Sequence, residues 1–239
     1  MIVYKPIGEI RAITFDLDDT FYANWPYILE AEQHLRQHIS EHYQQASIFT
    51  SADWFKFKKE ALNEDPELRH DMGALRTVSL TKGFVKSGMP SEDIPTAVAD
   101  CFDTFYHKRS DFEIEPDIHA ALKVLASKVP LVAITNGNVN AQQIGIKPYF
   151  THILQASKQR KMKPHCDMFD EAAQLLNLAP SNILHVGDNL EKDVWGATRA
   201  GYYSAWYAHD RKMNLNAESV CTLPHIQLDS IMSINKLLK

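Results

Sequence analysis

Short apolar runs alternate with helical patterns in the second half of this chain, and this alternation constrains the fold more than any other feature. The longest run, residues 129–134, is almost continuously apolar, which is typical of a strand buried on both faces. Strands that alternate with helices predict a parallel sheet with helices on both sides. The sequence therefore predicts an α/β fold with a doubly wound, Rossmann-like sheet. The predicted strands are 11–16, 129–134, 152–154, 183–186 and 203–206, and the predicted helices of this part are 117–127, 139–144, 167–176 and 191–200.

Between the first and second predicted strands, the pattern is helical throughout. Apolar residues recur there at three- and four-residue steps, and Ser51 and Ser91 are placed to cap two of the helices. We expect an all-helical cap domain (22–112) inserted into an α/β core (1–21 and 113–239). The predicted cap helices are 26–45, 51–65, 68–86 and 91–109.

Composition excludes several classes of function. The 239 residues are 45% hydrophobic and 23% charged, and the net charge is −5, so nothing favours nucleic acid or an anionic membrane. No apolar run is long enough to span a bilayer, and the first residues do not resemble a secretion signal. The three cysteines, Cys101, Cys166 and Cys221, are scattered and odd in number, which favours a reducing compartment. We expect a cytoplasmic protein.

Three carboxylates follow the first predicted strand, at Asp16, Asp18 and Asp19. Side chains alternate along an extended segment, so Asp16 and Asp18 are predicted to point the same way. Like charges this close repel each other, and a divalent cation is the simplest compensation. The alternative is that these residues only cap a turn.

Two other predicted strands also end in polar residues. Thr135-Asn136-Gly137 follows one, and Gly187-Asp188 follows the other, while Lys163 lies in a loop before Pro164. In an open α/β sheet, sites form outside the carboxyl ends of the strands. We therefore expect these polar groups to converge, although each segment alone could be an ordinary turn or a solvated basic loop.

The four segments occur in the order of the motifs of a known family. Asp16-Leu17-Asp18-Asp19-Thr20, Thr135, Lys163-Pro164 and the segment from Gly187 to Asp193 together resemble the haloacid dehalogenase superfamily of aspartate-nucleophile phosphatases. The resemblance covers essentially the whole chain and implies a helical cap inserted after the first motif. One departure is Asp19, where the family often has glycine.

The resemblance implies a role for each motif residue in phosphoryl transfer. Asp16 would attack phosphorus, and Asp18 would protonate the leaving group and later deprotonate water. A magnesium ion would be held by Asp16, Asp188 and the Asp18 backbone carbonyl. Asp193 would support the metal's waters or orient Lys163. Phosphate would be bound by Thr135, Asn136, Gly137 and Lys163.

The segments 15–25, 131–138 and 185–193 are similar to the bacterial riboflavin-pathway phosphatases. That similarity implies activity on 5-amino-6-(5-phospho-D-ribitylamino)uracil and FMN. Alternatives are a phosphatase of phosphoglycolate or a sugar phosphate, a 2-haloacid dehalogenase, or a non-catalytic binding module. Asp18 and the pair Asp188 and Asp193 favour a phosphatase, since halide displacement needs neither metal nor acid. The expected partner is a small phosphate ester, and the expected state is a monomer or weak dimer.

Other residues fit less specific interpretations. Phe21, Tyr22 and Trp25 follow the first motif, where they could pack at a hinge or line a slot for a planar ring. His34, His38 and His42 recur at metal-ligand spacing on a predicted helix, but no cysteine or carboxylate completes an obvious site in the sequence. His185 is expected to be a core histidine, and Cys166 is not expected to be a nucleophile.

Overall fold

The computed structural model describes residues 1–238 and divides into two compact units. The sheet unit comprises Met1–Asn24, Glu113–Gly137 and the chain from Ala141 onward. The helical unit comprises Trp25–Phe112 and Asn138–Asn140. Lys239, the last residue of the predicted core, lies outside the described residues. The assignment of the two units as catalytic core and cap stays a prediction.

The sheet unit is built on one sheet, which has seven strands among the described residues, in the order β1-β7-β6-β5-β2-β3-β4. All neighbouring strands are parallel except the pair β1 and β7. The predicted α/β fold class is confirmed, although the sequence patterns do not predict β1 or β7. The strands are β1 (Ile2–Val3), β2 (Ala12–Phe15), β3 (Leu131–Thr135), β4 (His152–Gln155), β5 (Ile183–Gly187), β6 (Tyr203–Trp206) and β7 (Ile226–Gln227).

Strand β2 lies at the centre of this sheet, between β3 and β5. Ile13 pairs with Leu131 on one side and with Leu184 on the other, and every residue of the three strands is buried. Burial on both faces explains why these strands are continuously apolar rather than alternating. The same pairing brings the carboxyl ends of β2, β3 and β5 to one edge.

The structure describes seven α-helices, of which four are in the helical unit or begin at its border. They are α1 (Asn24–His42), α2 (Ser51–Glu64), α3 (Met72–Lys86), α4 (Ile94–Arg109), α5 (Pro116–Ala126), α6 (Asp167–Leu176) and α7 (Gly196–Arg199).

Helix α1 begins two residues earlier than predicted, and the other three helices of the helical unit differ in their first residue or in their capping residue. Helix α2 is capped by Thr50, not Ser51, because Thr50 and Asp53 form a reciprocal capping box. Helix α3 begins four residues later than predicted, because a 3-10 turn precedes it. The Asp71 side chain separates the two by accepting a hydrogen bond from Ala74 N–H. Helix α4 begins at Ile94 without a side-chain cap, so the predicted Ser91 cap is wrong.

Two predicted helices of the second half of the chain also need correction. Residues 139–140 have no regular structure and residues 141–144 form turns instead of a helix, because Gly145 adopts φ +77 and the N–H of Ile146 closes onto the carbonyl of Ala141. The predicted helix 191–200 begins as a π-helical turn, Leu190–Trp195, and becomes regular only at α7.

The helical unit has its own apolar core. Leu35 and Ile39 of α1 are buried with Phe84 of α3 and with Cys101 and Phe105 of α4. Burial of these faces holds α1 and α4 side by side. Within the described part of the chain, no helix combines the length and hydropathy needed to cross a bilayer.

Candidate active site

Asp16 lies where strand β2 ends, at the edge of the sheet where β3 and β5 also end. Its N–H donates a hydrogen bond of 2.9 Å to the carbonyl of Val186, so the parallel ladder continues to this residue. The residue is 7% exposed. Because Thr135 ends β3 and Asp188 follows β5, the carboxyl ends of the strands bring all three to this edge.

The chain turns sharply just after Asp16. Asp19 adopts φ +60, a conformation that favours glycine but that aspartate tolerates better than most residues. Its carboxylate accepts a 2.8 Å hydrogen bond from the N–H of Asn24. The half-buried Asp18 carboxylate accepts a short hydrogen bond from the Tyr22 hydroxyl. The turn explains how Asp can stand where the family often has glycine.

Lys163 is the buried cation of this site. Its Nζ lies 2.6 Å from Asp16 Oδ1 and 2.6 Å from Asp193 Oδ1, and its side chain is 1% exposed. The Asn136 side chain fixes the lysine's backbone: its oxygen accepts from Lys163 N–H at 2.7 Å, and its amide donates to the Lys163 carbonyl at 3.0 Å. Asn136 thus joins the end of β3 to the lysine loop.

Asp188 and Asp193 complete a cluster of three buried carboxylates. Oxygen atoms of Asp16, Asp188 and Asp193 all lie within 4.8 Å of one another. Gly187 makes this possible, because a Cβ atom there would lie 2.3 Å from Asp193 Cγ. Asp193 is held in place by Asn189 N–H at 3.0 Å.

Thr135 and Gly137 form a small turn at the end of β3. The N–H of Gly137 donates to Thr135 Oγ1 at 3.0 Å, and Thr135 is buried. In this arrangement the hydroxyl of Thr135 and the backbone after it lie at the same edge of the sheet as Asp16. The Thr135 hydroxyl and the Lys163 ammonium group are therefore both hydrogen-bonding groups of this edge.

Burial and crowding dominate the electrostatics of the carboxylates. Burial raises the pKa of Asp16 well above its ordinary value, although Lys163 opposes the shift. Burial and the charge of Asp193 raise the pKa of Asp188 to about 7. Burial alone would also raise the pKa of Asp193, but Lys163 and His185 outweigh it and hold that pKa below its usual range. Two of the three acids thus resist ionisation in the protein alone.

The charge balance of this cluster fits a divalent cation. Three buried carboxylates face one buried ammonium group and the guanidinium group of Arg211, which contacts Asp188 but also pairs with Asp210 and Glu218, so negative charge predominates around the cluster. Carboxylate oxygens are the ligands that hard divalent cations prefer. Asp16 and Asp188 could hold such an ion directly, with Asp193 close by, and the ion would favour the ionised form of each acid.

Comparison with known proteins identifies the family. A family model described as haloacid dehalogenase-like hydrolase matches residues 10–201. The chain belongs to the haloacid dehalogenase-like hydrolases. This membership confirms the family predicted from the four motifs, and hydrolases of this family are enzymes.

Two further relatives of this haloacid dehalogenase-like hydrolase match over nearly its whole length. It is 33% identical over 238 residues to the 5-amino-6-(5-phospho-D-ribitylamino)uracil phosphatase YigB of Escherichia coli strain K12, covering 100% of both chains. It is 26% identical to the N-acylneuraminate-9-phosphatase of Homo sapiens, covering 98% of this chain and 95% of that one.

A solved structure is also similar to this haloacid dehalogenase-like hydrolase. It is a 2-haloacid dehalogenase from Pseudomonas syringae pv. Tomato DC3000, with 29% identity and a TM-score of 0.88 over 95% of this chain and 97% of that one.

Arg211 is a basic residue of the site that the sequence analysis did not predict. Arg211 donates to Asp188 Oδ2 at 2.9 Å and to the Asp188 carbonyl at 3.0 Å, and it also pairs with Asp210 and Glu218. It lies 23 residues beyond Asp188 in a segment without regular secondary structure. No motif or periodicity marks it, so the sequence offers no way to find it.

The aromatic residues after the first motif have different environments. Phe21 is fully buried and contacts the rings of Phe15 and Phe150, so it serves the core of the sheet unit. Tyr22 is also buried and donates to Asp18. Trp25 is 70% exposed. His185 is buried, as expected of a core residue, but its Nε2 also lies 3.2 Å from Asp193 Oδ1.

The raised pKa of Asp188 predicts that divalent-metal affinity falls as the pH is lowered through about 7. Below that pH a proton occupies the carboxylate that the ion needs, and above it the proton is already lost. We expect the apparent metal dissociation constant to rise about tenfold per pH unit on the acidic side, for one competing proton. Metal titrations followed by tryptophan fluorescence at several pH values on either side of 7 test this. A dissociation constant independent of pH would contradict it.

Proposed function

We propose that this hydrolase cleaves phosphomonoesters through an aspartyl-phosphate formed on Asp16. The observation that carries the proposal is the ion pair between Asp16 and the buried Lys163, which lies beside two further carboxylates at one sheet edge. A carboxylate nucleophile and a phosphate repel each other, so both need positive charge close by. The haloacid dehalogenase-like family and the phosphatase relatives support the same reaction class.

The two steps follow from the positions of the acids. An Asp16 oxygen attacks phosphorus in line, and the phosphorus–oxygen bond to the leaving alcohol breaks. Asp18, two residues on, donates a proton to the departing oxygen. A water molecule then attacks phosphorus in the aspartyl-phosphate, and Asp18 takes a proton from that water. The bond to Asp16 breaks, inorganic phosphate is released, and the free Asp16 carboxylate is regenerated.

Other residues at the site bind and orient. Lys163 donates to Asp16 and would contact a phosphate oxygen, while Thr135 and the backbone at Asn136 and Gly137 would bind the remaining oxygens. Asp193 holds Lys163 in position through its 2.6 Å contact.

We propose magnesium as the metal of this site. Asp16, Asp188 and the carbonyl of Asp18 would bind it, with Asp193 supporting its water ligands. Three carboxylates and no nitrogen or sulfur donor in the cluster suit a hard cation that retains several waters. When bound, magnesium supplies positive charge that shields the nucleophile from the phosphate and favours ionised Asp16.

The proposed substrates are 5-amino-6-(5-phospho-D-ribitylamino)uracil and FMN. The full-length similarity to the Escherichia coli enzyme named for the first of these carries the substrate assignment. Because specificity depends on residues around the reactive centre, the fold alone does not select a substrate. We place the reaction in the cytoplasm, in a monomer or weak dimer.

The similarity to a 2-haloacid dehalogenase structure raises a second candidate reaction. Displacement of halide from carbon uses a carboxylate nucleophile but needs neither a proton for the leaving group nor a metal. An acid at Asp18 and a metal held beside Asp188 and Asp193 have no function in that displacement step. These three acids favour the phosphatase.

We expect turnover of p-nitrophenyl phosphate, FMN and the ribitylaminouracil phosphate, and a loss of all three activities when EDTA removes divalent metal. Adding magnesium back should restore them. The measurements are phosphate release across a substrate panel that also contains phosphoglycolate and a hexose phosphate, and chloride release from 2-chloropropionate.

The panel separates the alternatives. Brisk release from phosphoglycolate or the sugar phosphate with neither flavin-related ester cleaved would overturn the substrate assignment and keep the reaction class. Chloride release without phosphate release would replace the phosphatase with a dehalogenase. Turnover that persists in EDTA would contradict the metal site.

A further inference from the structure

A second cluster of metal-ligand side chains lies in the helical unit, where α1 and α4 are side by side. His38 of α1 contacts Asp100 of α4, with 2.6 Å between Nε2 and Oδ2, and Cys101 follows Asp100. One donor atom from each of the three residues lies within 4.8 Å of the other two. The His42 ring, one turn along α1, lies 4.5 Å from the His38 ring, centroid to centroid.

The fold supplies what the sequence pattern lacked. His38 and His42 have the i, i+4 spacing of helical metal ligands, but the carboxylate and thiol that complete a site are 62 and 63 residues away from His38. Packing of the α1 and α4 apolar faces brings them together, since Ile39 and Cys101 belong to the same core cluster.

The donor set selects the type of metal. Imidazole nitrogen, thiolate sulfur and one carboxylate oxygen are ligands of zinc and of similar transition-metal ions, whereas magnesium takes oxygen ligands. Donors around a tetrahedral zinc ion lie about 3–4 Å apart, so the present separations need only small side-chain rotations. The bond between His38 and Asp100 would open by roughly half an ångström.

The carboxylate of this cluster favours a cation, whereas the burial of its thiol opposes the thiolate form that a metal needs. Hydrogen bonds from His38 and from the Tyr43 hydroxyl hold the pKa of Asp100 below its usual value, so this carboxylate is ionised. Cys101 is fully buried, and burial raises the pKa of its thiol to about 12. A metal bound there would take the place of the thiol proton, which passes to solvent.

We propose that His38, Asp100 and Cys101, with His42 as a fourth donor, bind one zinc-class divalent ion that links α1 to α4. The site is separate from the carboxylate cluster of the sheet unit and does not depend on the proposed phosphatase activity.

Cobalt(II) is the probe, because a cobalt–thiolate bond gives a charge-transfer absorption that carboxylate ligands do not produce. The full-length protein is titrated with cobalt and then with zinc, in excess magnesium to occupy the carboxylate cluster. The variants are His38→Gln and Cys101→Ser. The matched controls are His34→Gln, which changes an exposed histidine one turn earlier on α1, and Cys166→Ser, which removes one of the two thiols of the sheet unit.

We expect wild type and both controls to bind one equivalent of cobalt with the thiolate band, and zinc to displace it. Cys101→Ser should lose the band, and His38→Gln should weaken binding at least about tenfold. Circular dichroism verifies that each variant is folded. A missing thiolate band in the folded wild type would overturn the proposal. So would binding that is unchanged in both His38→Gln and Cys101→Ser, which would leave only an ion pair between α1 and α4.

Discussion

The Asp16→Asn variant is expected to lose at least about a thousandfold in phosphatase kcat, because an amide cannot form the aspartyl-phosphate. Its stability should equal or exceed that of wild type. Burial already raises the pKa of Asp16, so the ionised carboxylate is costly to bury and the amide removes that cost. Lys163 retains its 2.6 Å contact with Asp193 in this variant. Kinetics at saturating magnesium and urea unfolding measure the two effects.

Two comparison variants separate loss of the nucleophile from other causes. Asp170→Asn changes an exposed acid on α6 and should leave both kcat and stability unchanged. Asp188→Asn removes a proposed metal ligand, so raised magnesium should recover part of its activity, whereas Asp16→Asn should not respond. Substantial turnover by Asp16→Asn would show that another group attacks phosphorus.

The strands and the positions of the proposed catalytic acids follow from local sequence, because each depends on a short segment. A strand buried on both faces must be apolar, so the sequence alone predicts strands at residues 129–134 and 183–186. The polar residues that follow each run mark the strand ends. Parallel pairing then brings those ends to one edge. The polar ends of β2, β3 and β5 and the Lys163 loop meet there, as this reasoning predicts.

Features that depend on distant contacts were not predictable in this way. Arg211 reaches Asp188 from an irregular segment, and Asp100 reaches His38 across 62 residues. The two-residue strands form only by pairing with distant segments, β1 with β7 and β7 with β6, and each is too short to carry a periodic pattern. The helix predicted at 139–144 from the local pattern does not form, because a glycine with positive φ ends the segment before a helix can form.

Lys163→Met is expected to abolish turnover and to lower the free energy of unfolding by about 3–5 kcal/mol at neutral pH without metal. Lys163 is the buried cation between Asp16 and Asp193, and methionine fills similar space without charge. Both carboxylates then lose their ammonium partner, although Asp193 keeps its contact with His185. In wild type, the depressed pKa of Asp193 gives stability that is present above its unfolded pKa and is lost on acidification.

In the variant the pH dependence of stability reverses. A buried carboxylate without its ammonium partner has a raised pKa, so the folded protein becomes more stable when that carboxylate is protonated. The difference from wild type should therefore shrink as the pH is lowered towards about 4. Magnesium should also recover part of the lost stability at neutral pH, since it replaces the missing positive charge. Urea unfolding with and without magnesium measures both effects.

The matched control is Lys161→Met, two residues earlier in the same loop, which should behave as wild type. Equal losses in the two variants would refute a specific role for Lys163.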